Sequence, residues 1–588
     1  MTVTYHHKEA DLMIQYRVLI ACIKESLFPK NTQIDIAEQI IKIRYHQHVL
    51  YAHYATQSAF YQFTMEGEIV YKVGDTSQNI QSLEQLIDIL SQHFNIKFHE
   101  QLIAELQHSV LGLELSYRQY THRQVAMEHA SKFSRMPSEL NFIAWLTHMG
   151  EDEDFSVLGY TEGMVWHGHP SHPLTKTKRP LTSSEIQAYA PEFMRVVPLK
   201  IVLVDQAIVC ETSMETISNF MINTVIPDMA RPLRQFLEPY EKELSNYRVL
   251  FVHPWQYENV IVQAFDEAIR LHKVIPTPFT VDAKATLSFR TMYLLKRPYH
   301  IKLPLNVQAT SAVRTVSTVT TVDGPHLSYQ LQELLNEYPT LQVAMEPYGV
   351  YVDAPADTAR QFAMIVRQTP ETTSSDITQL VTACLIERNP VDKQVVVDSL
   401  IEYLYGVVSD DTIRQFIREY SRALIIPLVG YIQKYGIALE AHQQNTILQI
   451  NREDQKFSFI VRDLGGSRID VQTLQKAVPN IQLTNHSLIA EDIEAVIAKF
   501  QHAVIQNQLG TLIHHFKHVH KSNDAVLYRI VGDVVCQAIQ PYDAHADVLE
   551  RVLFDERVNV KALLSMRIAQ QVKKYVNISL DNPLYTKR

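Results

Sequence analysis

Two histidines held between prolines are the first residues here whose types and spacing suit chemistry: Gly168-His169-Pro170-Ser171-His172-Pro173, with Lys176, Lys178 and Arg179 close behind. Proline fixes φ and removes backbone donors, so this stretch is stiff and non-helical. A stiff backbone can aim imidazole and ammonium groups at a ligand. The ligand that suits those groups is an anion, either phosphate or carboxylate. The spacing of the two histidines also permits a metal ion, provided other parts of the chain supply the remaining ligands. A proline-rich surface loop is the plain alternative.

Two further segments carry groups of the same kind. In Thr286-Leu287-Ser288-Phe289-Arg290-Thr291, hydroxyls flank a guanidinium at a strand end, a set that can hold phosphate oxygens. Downstream, Lys302 and Arg314 stand among apolar residues, where a cation must be paired or must reach solvent. The other segment runs Glu440-Ala441-His442-Gln443-Gln444-Asn445, then a hairpin, then Arg462-Asp463-Leu464-Gly465. Kinase-type sites use the same logic, with an Asn and an Asp holding Mg²⁺ against a nucleotide. On that logic Asp463 is the Mg²⁺ ligand and Asn445 assists it. The spacing is not that of a protein kinase, and no kinase-type glycine loop is present. His514, His515, His518 and His520 crowd one predicted helix, with His514 and His518 on one face. That pair could bind a metal, but no Glu lies between them to act as a base and histidines on a helix are commonly surface residues.

The elements that must position these groups fit a chain of two to four domains, since 588 residues exceed a single core. Hydrophobic content of 46% and charged content of 20% are those of a globular protein. The net charge of −10 argues against a nucleic-acid surface, which makes the basic clusters local features. There is no dinucleotide glycine loop and no Walker motif. Four cysteines without C-x-x-C spacing suit a reducing compartment. The N-terminus lacks a signal pattern, and Leu424 to Ile432 is too short to span a bilayer, so a soluble cytoplasmic protein without membrane contact is expected. Periodicity predicts a mostly helical segment to about residue 150, with a hairpin at Tyr61 to Val73. Strands are predicted at Val196 to Val204 and Val249 to Val252, and a strand pair at Phe279 to Leu287 and His300 to Thr310. Helices are predicted at Leu327 to Leu335, Val396 to Tyr405 and Ile413 to Tyr435, the last kinked or broken at Pro427. A hairpin spans Thr446 to Val461. The last hundred residues read as helical, with Ile493, Val496, Ile497, Phe500 and Val504 on one face.

Taken in order, these segments resemble the aerobactin-synthetase-type (IucA/IucC) family of NRPS-independent siderophore synthetases, including its staphyloferrin-type members. The matching pieces are Gly168-His169-Pro170-x-His172-Pro173-x-x-Lys176, His253-Pro254-Trp255-Gln256, Ser288-x-Arg290-Thr291 and Lys302-Leu303-Pro304. Glu440-Ala441-His442-x-Gln444-Asn445, Arg462-Asp463 and Asn582-Pro583-Leu584 follow. The resemblance implies an ATP- and Mg²⁺-dependent ligase that adenylates a carboxylate of citrate, or of α-ketoglutarate or a citryl half-amide. An amine then displaces AMP. It also implies residue roles. Ser288, Arg290, Thr291 and Lys302 would contact the triphosphate, with His169 and Asn445 also on the nucleotide. Arg314, His442, Thr310 and Glu440 would contact the carboxylic acid. Asp463 and Asn445 would hold the metal. His169, Lys176, Arg290, Arg314 and His442 would form the catalytic set. The implied fold is a multi-part α/β (α+β) chain shaped like a cupped hand: a helical N-terminal part (1–165), a β-containing middle (166–385) and a C-terminal part (386–588) whose antiparallel sheet is distantly kinase-like. A homodimer working beside other enzymes of its pathway is expected. The chain departs from the family loop at Lys178-Arg179-Pro180, where Lys178 replaces an arginine unless Arg179 takes its role. A metal- or siderophore-binding protein and a small-molecule kinase are the rival classes.

Overall fold

The computed structural model describes residues 2–134, 140–215, 218–310, 312–372, 374, 376–570 and 576–585. It is a mixed α/β architecture built on several mainly antiparallel sheets. The helix Thr2–Lys24 leads into a five-stranded meander: Gln33–Ala37, Ile40–Tyr45, His48–Ser58, Gln62–Val73 and Thr76–Asn79. The hairpin expected at Tyr61 to Val73 is corrected, because Gln62–Val73 is a single strand of this meander. The turns explain the difference, because Glu38, Gln39, His46, Phe60 and Tyr61 take positive φ without being glycine. The usual turn residues are therefore missing from most of the sheet. Helices Leu83–His93 and Glu100–Ser134 cover this sheet, the first capped by Ser82, which accepts from the Gln85 N–H at 3.2 Å. Ile14, Leu19, Ile41, Leu50, Leu86 and Leu106 form their shared core.

The middle of the chain forms an eight-stranded sheet. In spatial order it runs Val209–Ser213, Tyr348–Val352, Ala363–Gln368, Tyr299–Lys302, Thr291–Leu294, Val274–Ala285, Val197–Asp205 and Tyr247–Val252. Its neighbours all pair antiparallel. The predicted pair near 279–287 and 300–310 is corrected. Thr291–Leu294 inserts between them, pairing with Ala283–Ala285 on one side and His300–Lys302 on the other. Leu305–Ala309 leaves this sheet to join Ala312–Arg314 and Lys178–Arg179 in a small sheet that anchors the His-Pro segment.

A four-stranded sheet lies under the C-terminal helices, in the order Leu341–Val343, Phe457–Val461, Thr446–Asn451 and Ile377–Val381. Two of its strands thus come from before residue 386, and Phe142, Leu146 and Leu158 pack into the same core from the N-terminal side. Helix Asp410–Tyr435 continues through Pro427, so the break expected there does not occur. The predicted helix at Leu327 to Leu335 is instead the end of Thr318–Gln330, followed by the short turn Leu334–Asn336. The tail is not wholly helical, since Arg557–Lys561 pairs with Asn577–Asp581. No helix of the described residues is long and apolar enough to cross a membrane. Phe416 sits fully buried on helix Asp410–Tyr435, with ring centroids 5.5 Å from Tyr420, 5.6 Å from Phe457 and 6.2 Å from Phe516. Phe416→Ala should lower the unfolding free energy by about 3–5 kcal/mol, read from the urea midpoint of the transition that monitors this core.

Candidate functional site

The loop 286–290 closes a hairpin between Val274–Ala285 and Thr291–Leu294, with the Thr286 N–H donating to the Thr291 carbonyl at 2.9 Å. Register places Thr291 opposite Lys302, and His300 opposite both Tyr293 and Arg367. Side chains alternate along a strand, so Thr291, Lys302, His300 and Arg367 share one face of the eight-stranded sheet. Asp463 meets that face from the end of Phe457–Val461. Lys302 Nζ donates to its two carboxylate oxygens at 2.8 and 2.9 Å, and the Arg367 guanidinium lies 3.8 Å away. Burial alone would raise the Asp463 carboxyl. Lys302, Arg367 and Arg290 outweigh it and hold the group well below the usual carboxylate range. Asp463 itself stands at φ +76°, a left-handed conformation a non-glycine residue seldom adopts.

Arg290 donates to the Thr315 carbonyl, yet its buried Nε–H has no partner, and neither does the buried Thr286 hydroxyl. Burial, then the nearby Arg314, brings the Arg290 guanidinium down to about 10. Ser288 is half-buried in the same loop. Arg314 donates to the Ala309 carbonyl at 3.0 Å and to the Thr310 hydroxyl at 2.9 Å, where Thr310 takes φ +54°. Burial lowers Arg314, while Glu440 and Asp463 oppose that shift. Glu440 accepts from Lys499 and, at 3.4 Å, from the Asn445 amide; His442 Nε2 lies 4.0 Å from it. Gly466 makes this approach possible, because a Cβ there would come within 1.8 Å of Glu440 Oε2. His442 is lowered by burial and then raised in part by Glu440.

Gly168, at φ +67°, turns the His-Pro segment where a Cβ would lie 2.4 Å from Thr175 Oγ1. His169 Nδ1 accepts from the Ser171 N–H at 3.3 Å. Burial, then His172, Arg17 and His442, lower His169, which brings it into the same field as His442. Lys176 is placed differently. Its ammonium is 4% exposed, paired with Glu192 and bonded to the Val165 carbonyl at 2.6 Å. Lys178 lies 4.0 Å from the same Glu192. These lysines reinforce the base of the loop, whereas Lys302 contacts Asp463, Glu440 contacts Asn445 and His442, and Arg290, Arg314 and His169 act on these groups electrostatically.

Arg462, already singled out beside Asp463, holds this group together with Glu162, Glu346 and Arg367, which sequence reasoning missed. All four are nearly inaccessible. Arg462 donates through both guanidinium nitrogens to Glu162, while the Leu287 N–H donates to Glu162 Oε2 at 2.7 Å. Arg462 also donates to the Gln444 carbonyl at 2.8 Å, and its own N–H reaches the Asn445 carbonyl at 3.0 Å. Glu162 thereby fixes the 286–290 loop against the segment bearing Asp463. Arg367 is held by Glu346 at 2.7 Å. The available signal was a charge at the end of an apolar run, as in Ala363-Met364-Ile365-Val366-Arg367. Lys499 and Lys561 add charge beside Glu440 and His442 from helix Ile493–Phe500 and strand Arg557–Lys561, while burial brings His502 down to about 3 and keeps it neutral. His514 and His518 serve the N-terminal sheet: His514 bonds Ser58 at 2.7 Å and Thr64 at 2.9 Å, and His518 bonds Thr56 at 3.1 Å.

Two family models match the chain. Residues 159–386 match the IucA / IucC family, and residues 414–576 match the ferric iron reductase FhuF-like transporter model. Staphyloferrin A synthase of Staphylococcus aureus is 48% identical over 98% of this chain and 98% of its own length. D-Ornithine–citrate ligase of the same organism is 25% identical over 97% of this chain and 92% of its own. ATP-bound aerobactin synthetase IucA from a hypervirulent pathotype of Klebsiella pneumoniae shares the fold, with a TM-score of 0.78 at 19% identity over 98% of this chain and 100% of its own.

Two outcomes test the buried pairs. Glu162→Ala should cost about 3–5 kcal/mol by leaving Arg462 uncompensated, and adding Arg462→Met should recover part of that loss in a double-mutant cycle of urea unfolding. The Glu192 carboxyl, which burial would raise, is brought down to about 2 by Lys176 and then Lys178. A depressed acid stabilises fully above its unfolded value near 4.5 and loses that contribution as pH falls toward 2. Lys176→Gln should therefore weaken the fold most near pH 7, and its deficit against the unsubstituted protein should shrink below about pH 4.5.

Proposed function

We propose that this chain, which belongs to the IucA / IucC family, is an ATP-dependent siderophore synthetase that joins a carboxylate of citrate to an amine. The observation that carries the reading is the convergence of Arg290, Lys302 and Arg367 on Asp463, with Arg314 beside them, in a protein of net charge −10. Relatives matching nearly its whole length include one named for joining ornithine to citrate.

The chemistry needs that concentration of charge. A carboxylate cannot expel oxide, so one of its oxygens must first attack the α-phosphorus of ATP, releasing pyrophosphate and leaving an acyl-adenylate. The amine nitrogen then attacks the acyl carbon, the C–O bond to AMP breaks, and the nitrogen gives up a proton as the amide forms. Holding a polycarboxylate next to a triphosphate requires several fixed cations, and their preorganisation stabilises the charge that develops at phosphorus. In this reading the unpartnered Arg290 Nε–H and Thr286 hydroxyl, with Ser288, Thr291 and Lys302, receive phosphate oxygens. Arg314, Thr310 and His442 receive the acid. His169 stands between the two substrates, and its low affinity for protons leaves it neutral at pH 7. The Asp463 carboxylate keeps lone pairs beyond those used by Lys302. With Asn445 and Glu440 it offers the oxygen donors a hard cation prefers, so Mg²⁺ would be held there and would supply charge to the phosphates. The three interleaved parts are read as the walls of a cupped cleft, the C-terminal wall distantly kinase-like, in a cytoplasmic homodimer.

Incubation with ATP, citrate and hydroxylamine should give citryl hydroxamate with equimolar AMP and pyrophosphate. Release of ADP, or no product with citrate or a citryl half-amide, would sink the reading. Arg290→Ala should lower kcat/KM for ATP by about 10²–10³-fold. Arg314→Ala should act mainly on KM for the acid.

A further inference from the structure

The four histidines near residue 517 separate into two roles. His514 and His518 bond the N-terminal sheet, while His515 and His520 both turn toward one carboxylate. We propose that Asp398, His515 and His520 form a binding site for a divalent transition-metal ion of the zinc class.

Asp398 occupies the first turn of helix Val396–Tyr405, and both histidines lie on helix Gly510–His520, the second as its last residue. His515 Nε2 is 2.9 and 3.0 Å from the two carboxylate oxygens, and His520 Nε2 is 2.9 Å from Oδ1. The three ligand atoms all lie within 4.8 Å of one another. Tetrahedral zinc with bonds of about 2.0–2.2 Å sets its ligands roughly 3.3–3.5 Å apart. To admit an ion the imidazoles would withdraw from the carboxylate by a few tenths of an ångström, and their two nitrogens, now within 4.8 Å, would settle at the tetrahedral spacing. Two imidazole nitrogens with one carboxylate select zinc-like ions over magnesium or calcium. The carboxylate is buried and His515 largely so, while the His520 side chain is 23% exposed, which gives an ion an entry path from solvent. None of the three residues belongs to the cleft described above. The ion would lock two helices that lie more than a hundred positions apart in the chain.

The test uses the full chain, stripped with a chelator and titrated with Zn²⁺ against a chromophoric competitor. One equivalent should bind and raise the melting temperature. His515→Gln, His520→Gln and Asp398→Asn should each weaken that equivalent roughly tenfold or more. Co²⁺ in its place should give visible tetrahedral bands that disappear in His520→Gln. This variant alters the most exposed ligand, and its ligase turnover should match the unsubstituted protein. If the tightest zinc is unchanged in His515→Gln and His520→Gln, or no zinc binds at micromolar concentration, the cluster is only a hydrogen-bonded staple and the proposal fails.

Discussion

The buried pair between Glu162 and Arg462 is the constraint on which the arrangement around Asp463 depends. Removing two charges from water is costly, and the cost is met only when hydrogen bonds satisfy both groups. Here they do. The carboxylate also takes the Leu287 N–H, and the guanidinium also takes the Gln444 carbonyl. One ion pair thus sets the distance between the loop carrying Arg290 and the segment carrying Asn445 and Asp463. These pieces come from three separate stretches of sequence. A hydrophobic pair of equal volume would hold the elements together without fixing the register between donors and acceptors.

The cations around Asp463 show the same logic with opposite needs. Arg367 is neutralised by Glu346, so it can lie at the floor of the group without adding net charge. Lys302 is shared with Asp463, and Arg290 keeps one donor unspent. The result is a set of cations pinned by the protein's own acceptors. On the proposed reading, that reduces the reorganisation required when charge develops in the reaction. The left-handed backbone at Asp463 belongs to this arrangement, since it carries the carboxylate off the strand and onto the facing sheet.

Part of the proposed site was legible in the sequence. Arg290 and Arg314 stood out as cations beside hydroxyls or apolar residues, and His442 and Asp463 through the kinase-like order of a His–Asn loop, a hairpin and an Asp before Gly. The helices Val396–Tyr405 and Asp410–Tyr435 followed from periodicity, and the second continues past Pro427 because the buried residues around it favour the helix over the local preference for an end. The five-stranded meander was hidden because its turns use residues that ordinarily avoid positive φ. Lys176 looked like a ligand-binding cation from its neighbours in sequence, but its partner Glu192 lies sixteen residues on, in a turn with no distinguishing pattern. Glu162 was equally silent: a single acidic residue at the end of a short helix gives no hint of a partner three hundred positions away.

The sheet beneath the C-terminal helices has a consequence for synthesis of the chain. Its edge strand Leu341–Val343 pairs in parallel with Phe457–Val461, and Ile377–Val381 pairs with Thr446–Asn451. Near the other end, Glu105 is bonded to Arg567 and Glu25 to Ser565. On the ribosome, the eight-stranded sheet can close once its last strand has emerged, but the segment Phe142 to Glu162 must wait for partners made much later. Such long-range closure slows folding and leaves apolar surface uncovered during translation. It also means that no nascent fragment carries a finished site, since the wall bearing Asp463 and the loop bearing Arg290 meet only after most of the polypeptide has been made.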